Sequence, residues 1–420
     1  MRRGIGLAGM ALLLASCASQ VSGPPESAAS DQLVLRTPAA LQVWDAKGDL
    51  VHSLGRAVAS PDGSVYYTLV GSPTTLRWVD AKTGRAITEL QLDGSYSFAN
   101  ELELGPTGLS PNGRWLVLVG ESAASSRFAV IDTALLKLAA TAEIPGAFGY
   151  DAISDDGTSL YLIERIAPDT ARQLGVSAAY SYRVRVYDVP SGKLSETLVV
   201  DVKLAGQLTG DNNAETRVDG IMRGIYQSSV PSADGRWNFS FYYNPGRGPF
   251  IHVLHLDSRS AFCILDLPVV AGGYEKRLGW SLALTPSGQT LYAVNGALGL
   301  VSSIDATTLK VMRTETIAGL PLASATAPSY SSSARVAQDA RKLWFAAARG
   351  VALVDTRDFA LRGLFLPDRV VTSLSLSPDG RRLYALSDEG TVWMIDATTG
   401  RQLAQIQTDG ATALLRVGSH

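Results

Sequence analysis

The chain has 420 residues, with 37 basic and 39 acidic side chains and a formal net charge of −2; 46% of it is hydrophobic and 18% charged. That balance supplies a large core, is too apolar for a disordered chain, and lacks the basic excess that a nucleic-acid partner requires. Forty glycines and nineteen prolines, spread along the sequence, suit many short strands joined by tight turns rather than long helices.

The first residues differ from the rest. Arg2 and Arg3 precede an apolar run from Ile5 to Leu14, too short to cross a bilayer, and the run ends in Leu14-Ala15-Ser16-Cys17. This segment resembles the signal peptide and lipobox of bacterial lipoproteins. The resemblance implies a signal peptide over 1–16, lipidation of Cys17, and an extracytoplasmic chain in the cell envelope held to a membrane by lipid. The segment ASQVSGPPESAASD that follows is small, polar and proline-bearing, so 17–31 reads as lipidated cysteine plus flexible tether and 32–420 as one folded domain. Taking Arg2 and Arg3 from the 37 basic residues leaves 35 against 39 acidic. Cys263 is then the only cysteine besides Cys17, so two core cysteines are not available for a disulfide. Between Phe262 and Ile264, it reads as a small buried hydrophobe.

Along the folded part a turn phrase recurs in seven copies: SPDG from Ser60, SPNG from Ser110, SDDG from Ser154, SADG from Ser232, TPSG from Thr285, AQDA from Ala337 and SPDG from Ser377. Proline presets one turn position, aspartate or asparagine caps it and glycine supplies positive φ, so each copy joins two strands as a hairpin. A second phrase follows each: a β-branched strand ending in aspartate, a tight turn and another strand, as in LRWVDAKTGR and VWMIDATTGR. Its aspartates, Asp80, Asp132, Asp188, Asp305, Asp355 and Asp396, occupy one place in the repeat and read as turn formers. Each repeat thus holds four strands, A to D, most copies starting about 40 to 55 residues apart, and a four-stranded antiparallel unit of that period is a propeller blade.

The fold class is therefore all-β, a β-propeller. LQVWDAKGDLVHSL from Leu41 matches strands C and D, with QLVLRT before it as strand B, but no strand A precedes them. ATALLRV, from Ala411 to Val417, stands where that strand is missing. Pairing the chain ends in one blade closes the ring and removes free edges. Seven full blades and the shared one make eight, with seven as the alternative.

LYAVNGALGLVSSIDATTLKV from Leu291 and LYALSDEGTVWMIDATTGRQL from Leu383 resemble the YVTN-type propeller repeat. Proteins with such repeats include amine dehydrogenase heavy chains and lactonase-like enzymes. The resemblance therefore implies two alternatives to a non-catalytic scaffold: a lactonase-like hydrolase with a metal in the central channel, or a heavy-chain-like subunit docking a redox partner.

The A-B and C-D turns share one face of a propeller, and here they stay short. The B-C and D-A connections share the other and carry the extra length: 165–182, 203–230, 244–249, 270–279 and 319–333. Long loops on a rigid scaffold carry binding, so this face is the candidate surface for a protein or glycan partner. Its candidate residues are Arg165, Arg172, Tyr180, Tyr182, Arg223, Tyr226, Tyr242, Tyr243 and Arg247, since tyrosine and arginine combine apolar area with a polar tip. The other reading of the tyrosines is that they pack the insertions onto the blade edge.

No catalytic, metal or cofactor motif is expected. Of four histidines, His52 falls in a strand D, His252 and His255 point to opposite faces of one strand, and His420 is the last residue. There is no Cys-x-x-Cys-His, no Gly-x-Ser-x-Gly and no phosphate-cradling glycine loop. Glu101 and Glu103, with Glu121 and Glu164, are acids that could act in proton transfer or cation binding, or simply be solvated strand ends.

Overall fold

The computed structural model describes residues 30–99, 108–120, 122, 124–199, 220–270, 278–322 and 333–419, without the side chains of 262–264. Its strands form eight separate antiparallel sheets, seven of them in chain order from the channel outwards, six four-stranded and one five-stranded, and the eighth, also four-stranded, closing the ring. In that last blade the order is Leu50–Ser53, Leu41–Asp45, Asp31–Arg36 and Ala413–Ser419, so the final strand supplies strand A to the first three. The ring has eight blades, closed by the pairing that the chain ends suggested.

Strands B and C are nearly continuous apolar runs because both sheet faces are buried against neighbours. Period-two alternation decides which neighbour each residue meets. On blade 7, Tyr384, Leu386, Val392 and Met394 pack with Leu33, Leu35 and Leu414 of blade 8, while Leu383, Ala385 and Ile395 pack with Trp344, Val351 and Leu353 of blade 6. Val34 and Val43 of blade 8 pack with Tyr66 and Val79 of blade 1. The core is thus a ring of apolar layers, one at each junction between blades. Outermost strands are mainly exposed and carry charges, as in Lys310–Thr316, which blunts the sheet edge against further pairing.

The recurrent turns do what their residues predict. In blade 1 the Ser60 hydroxyl donates to Asp62 Oδ1 at 2.6 Å and accepts the Val65 N–H at 3.1 Å. The aspartates of the second phrase accept N–H groups from their own turns, Asp396 from Thr399 at 2.8 Å and Asp305 from Thr308 at 2.7 Å. Turn glycines also let adjacent blades approach: at Gly157, φ 73°, a Cβ would stand 2.2 Å from the Trp115 ring of blade 2.

The free edge of strand A faces the channel, and serines stitch it to the preceding blade. Ser333 accepts the Leu374 N–H at 2.9 Å, Ser373 that of Leu414 at 2.7 Å and Ser375 that of Val417 at 3.1 Å. These bonds satisfy edge donors that would otherwise be left unpaired. They also fix the relative height of neighbouring blades.

Candidate functional site

The insertion-bearing face is built where blade 3 meets blade 4. Strand B of blade 3, Ser159–Arg165, leads into the helix Pro168–Leu174 before strand C, Ser181–Asp188. Pro168 lies in the first helical turn, where its missing N–H loses nothing, and Gly175 ends the helix at φ 65°. Ala171 under the helix packs with Ile166 and Ile221, so the insertion rests on its own small apolar cluster. Strand D of this blade comes in pieces: Lys193–Leu194, then Met222–Arg223 after residues 200–219, with Ser181 opposite Arg223 and Tyr182 opposite Met222.

The tyrosines expected there divide sharply. Tyr182, Tyr242 and Tyr243 are buried, and Tyr226 lies not in a connection but in strand A of blade 4, Ile225–Pro231. Tyr182 stacks on Tyr242 at 5.4 Å between ring centroids, Tyr242 stacks on Phe250 at 5.6 Å, and Tyr226 meets Tyr242 edge-on at 5.6 Å. Together they form the apolar layer between blades 3 and 4. Burial first, then neighbouring phenols and Asp151, pushes the Tyr242 hydroxyl well above its ordinary range, so it stays neutral.

What remains on the surface is cationic. Arg165 and Arg172 are exposed, and Tyr180, Arg223 and Arg247 are partly exposed. Arg172 pairs with Asp169 at 3.0 Å and Arg247 with Asp266. Arg165 and Arg223 have no carboxylate partner among the described residues, while Glu164 is engaged by Arg185 at 3.0 Å and Arg183 at 3.9 Å. Cys17, Glu101, Glu103, Glu121 and His420 lie outside the described residues, and so does the Cys263 side chain. His255 is occupied structurally: its Nδ1 accepts the Ser258 N–H at 3.0 Å, its ring meets Trp237 edge-on at 4.3 Å, and burial lowers its pKa.

A further feature belongs to the channel. Among the described residues Asp151, 5% exposed, is the only acidic one in the eight innermost strands. It sits at a bulge, where the pairing of strand A with strand B shifts register between Tyr150 and Ala152. Burial alone pushes its carboxyl up to about 7. The signal was present in the sequence, as an acid three residues before a turn phrase where the other copies carry Ala, Thr, Ser or Leu. It stands alone, so no cluster or motif marks it. Across the ring, strand A of blade 6 carries Arg335, whose guanidinium donates to the Ala334 carbonyl at 2.8 Å and whose pKa burial lowers.

No family model matches the chain, and no curated protein does. Among solved structures it is similar to dihydro-heme d1 dehydrogenase NirN in complex with DHE, at 14% identity and a TM-score of 0.55 over 94% of this chain and 77% of that one. It is likewise similar to apo AztD from Citrobacter koseri, at 13% identity and a TM-score of 0.54 over 93% of this chain and 97% of that one. The chain is a β-propeller. At such identities the likeness carries the fold alone.

Proposed function

We propose that this propeller is a non-catalytic binding scaffold of the cell envelope, anchored through lipid on Cys17, whose insertion-bearing face docks an acidic protein surface or an anionic glycan. The observation that carries this reading is the pair Arg165 and Arg223, held on a built insertion at blade 3 and left without carboxylate partners among the described residues. Guanidinium groups so placed are available for bidentate contact with carboxylate or sulfate. The helix and its apolar cluster fix their position before a partner arrives, which lowers the ordering cost of binding.

The two alternatives drawn from the YVTN-type resemblance gain no residue of their own. Among the described residues no three His, Cys, Asp or Glu side chains converge as a metal site would require.

The test is a photo-crosslinker at Arg172 in intact cells, comparing the wild type with an Arg165→Glu, Arg223→Glu double variant. The reading requires one discrete adduct in the wild type that the charge reversal removes. An unchanged adduct overturns the choice of face. Separately, Cys17→Ala should release the protein from the membrane fraction, and retention there would overturn the anchor.

A further inference from the structure

The channel wall carries a cavity of about 300 Å³ where the inner strands of blades 1 to 4 run into their A-B turns. It lies at the opposite end of those strands from the insertion-bearing face. Its walls are mainly apolar, with Ala59, Leu109, Ile153 and Pro231 prominent. Its one charged group among the described residues is Asp151.

One feature marks the cavity as built for a ligand. Asp151 has no hydrogen-bond or ion-pair partner among the described residues although it is 5% exposed. Tyr150 also lines the space, its phenol held neutral by burial first and then by the charge of Asp151. A carboxylate withdrawn from water and left unpaired is costly, and native interiors satisfy nearly all such groups. A donor placed in the cavity would satisfy it.

The ligand's chemistry follows from what the walls offer. A hard metal ion needs six or more oxygens and transition metals need nitrogen or sulfur donors, but among the described residues no second carboxylate, no histidine and no cysteine lines the space. An anion would face Asp151 itself. The surrounding turns add negative charge: Asp155, Asp156, Asp234 and Asp257 gather there, and burial followed by repulsion from the other three raises the Asp155 pKa. The nearby guanidinium groups are already engaged, Arg236 with Asp257 at 3.2 Å and Arg259 with Asp188 at 2.6 Å. A corner of one sign attracts and concentrates counter-charged ligands. The volume is at the small end of ligand cavities.

We propose that this cavity binds a small organic cation, a primary ammonium on an apolar body, with the ammonium donating to Asp151 and the body lying against Leu109, Ile153 and Pro231. The titratable groups around Asp151 are the phenols of Tyr150, Tyr161, Tyr182 and Tyr242, all held neutral by burial, with the His252 ring 6.0 Å behind Tyr242. Binding requires the ionised carboxylate. Affinity at pH 6 should therefore be about tenfold below that at pH 8, where Asp151 is mostly charged.

Calorimetry on the full chain in detergent tests this, with phenethylamine and n-hexylamine as probes and 2-phenylethanol and 1-hexanol as neutral isosteres. The amines should bind at least about tenfold more tightly than the alcohols, and Asp151→Asn should lose that margin while melting no lower than the wild type at pH 8. Ser229→Leu, which fills the cavity without touching the carboxylate, should weaken amines and alcohols alike. Equal binding of amine and alcohol, full amine binding by Asp151→Asn, or no binding of either amine to the wild type would each overturn the proposal. The Arg165→Glu, Arg223→Glu variant should bind the amines unchanged, so this site and the insertion face succeed or fail separately.

Discussion

Asp31, in the first strand of the chain, and Arg382, on strand B of blade 7, form a buried bidentate ion pair across 351 residues of sequence, Nε to Oδ2 at 2.6 Å and Nη2 to Oδ1 at 3.0 Å. The Tyr384 hydroxyl donates to the same Oδ2 at 2.6 Å, and Asp379 approaches Arg382 at 3.2 Å. Burial alone would lower the Arg382 pKa, but the hydrogen bonds and charge of Asp31 outweigh it and the pKa rises. Because Asp31 belongs to the shared blade, the pair fastens blade 7 to the closing seam. Arg416 fastens the other side, donating to the carbonyls of Ser60, Pro61 and Asp62 in the first turn of blade 1 at 3.3, 3.1 and 3.2 Å.

Removing one partner of a buried pair leaves the other charge uncompensated, at a cost of about 3 to 5 kcal/mol. Asp31→Asn should therefore lower the unfolding free energy from urea titration by that much with an unchanged slope, whereas Asp31→Leu, Arg382→Met and Tyr384→Phe combined should recover most of the loss. An unfolding free energy for Asp31→Asn within about 0.5 kcal/mol of the wild type would show that the pair does not hold the seam.

The sixth copy of the turn phrase ends in alanine where the other six end in glycine, and Ala340 takes φ 55°. An L-residue in the left-handed region is strained by about 1 to 2 kcal/mol, partly offset by the greater freedom of glycine in the unfolded chain. Ala340→Gly should raise stability by up to about 1 kcal/mol. The reverse change at Gly63, φ 75°, should lower it by more, because a Cβ there would stand 2.3 Å from the Arg416 guanidinium. Thermal melts of the two variants moving in the same direction would contradict this account.

The blade count and the seam were legible because their signals are local and repeated: turn phrases at a regular interval, and a strand A missing at one end and present at the other. Direction of burial was not. Tyrosine is apolar enough to fill a core and polar enough to face water, so both readings stayed open in the sequence for Tyr182 and Tyr242, which form the layer between blades 3 and 4. Strand D of blade 3 was hidden as well, since it is assembled from pieces on either side of residues 200–219. Asp151 was visible as a letter but not as a channel residue, because its meaning depends on where strand A begins.

Stability should fall as pH rises from about 4 to about 7. The Asp151 carboxyl is raised in the folded state to about 7 from an ordinary value of 3.8, so across that window the folded chain holds a proton that the unfolded chain has lost. Its contribution is fully present below the unfolded pKa and is gone once pH passes the folded one. A shift of about three units corresponds to at most about 4 kcal/mol. Asp151→Asn should flatten this part of the profile and be the more stable protein at pH 8. Parallel profiles for variant and wild type in urea titrations between pH 4.5 and 8 would refute the assignment.

Substitutions at the insertion face should separate packing from recognition. Tyr242 stacks on Tyr182 and Phe250 and meets Tyr226 edge-on, so Tyr242→Ala empties the layer between blades 3 and 4 and should cost about 3 to 5 kcal/mol. Tyr242→Phe keeps the rings in place and should cost far less. Arg165 lies at the surface and makes no ion pair among the described residues, so Arg165→Glu should change stability by no more than about 0.5 kcal/mol. If partner capture fails in Tyr242→Ala but survives in Tyr242→Phe, the tyrosine acts by holding the face in shape. Loss of capture in Arg165→Glu at unchanged stability is what direct contact requires, since reversing one exposed charge leaves the aromatic layer beneath it intact.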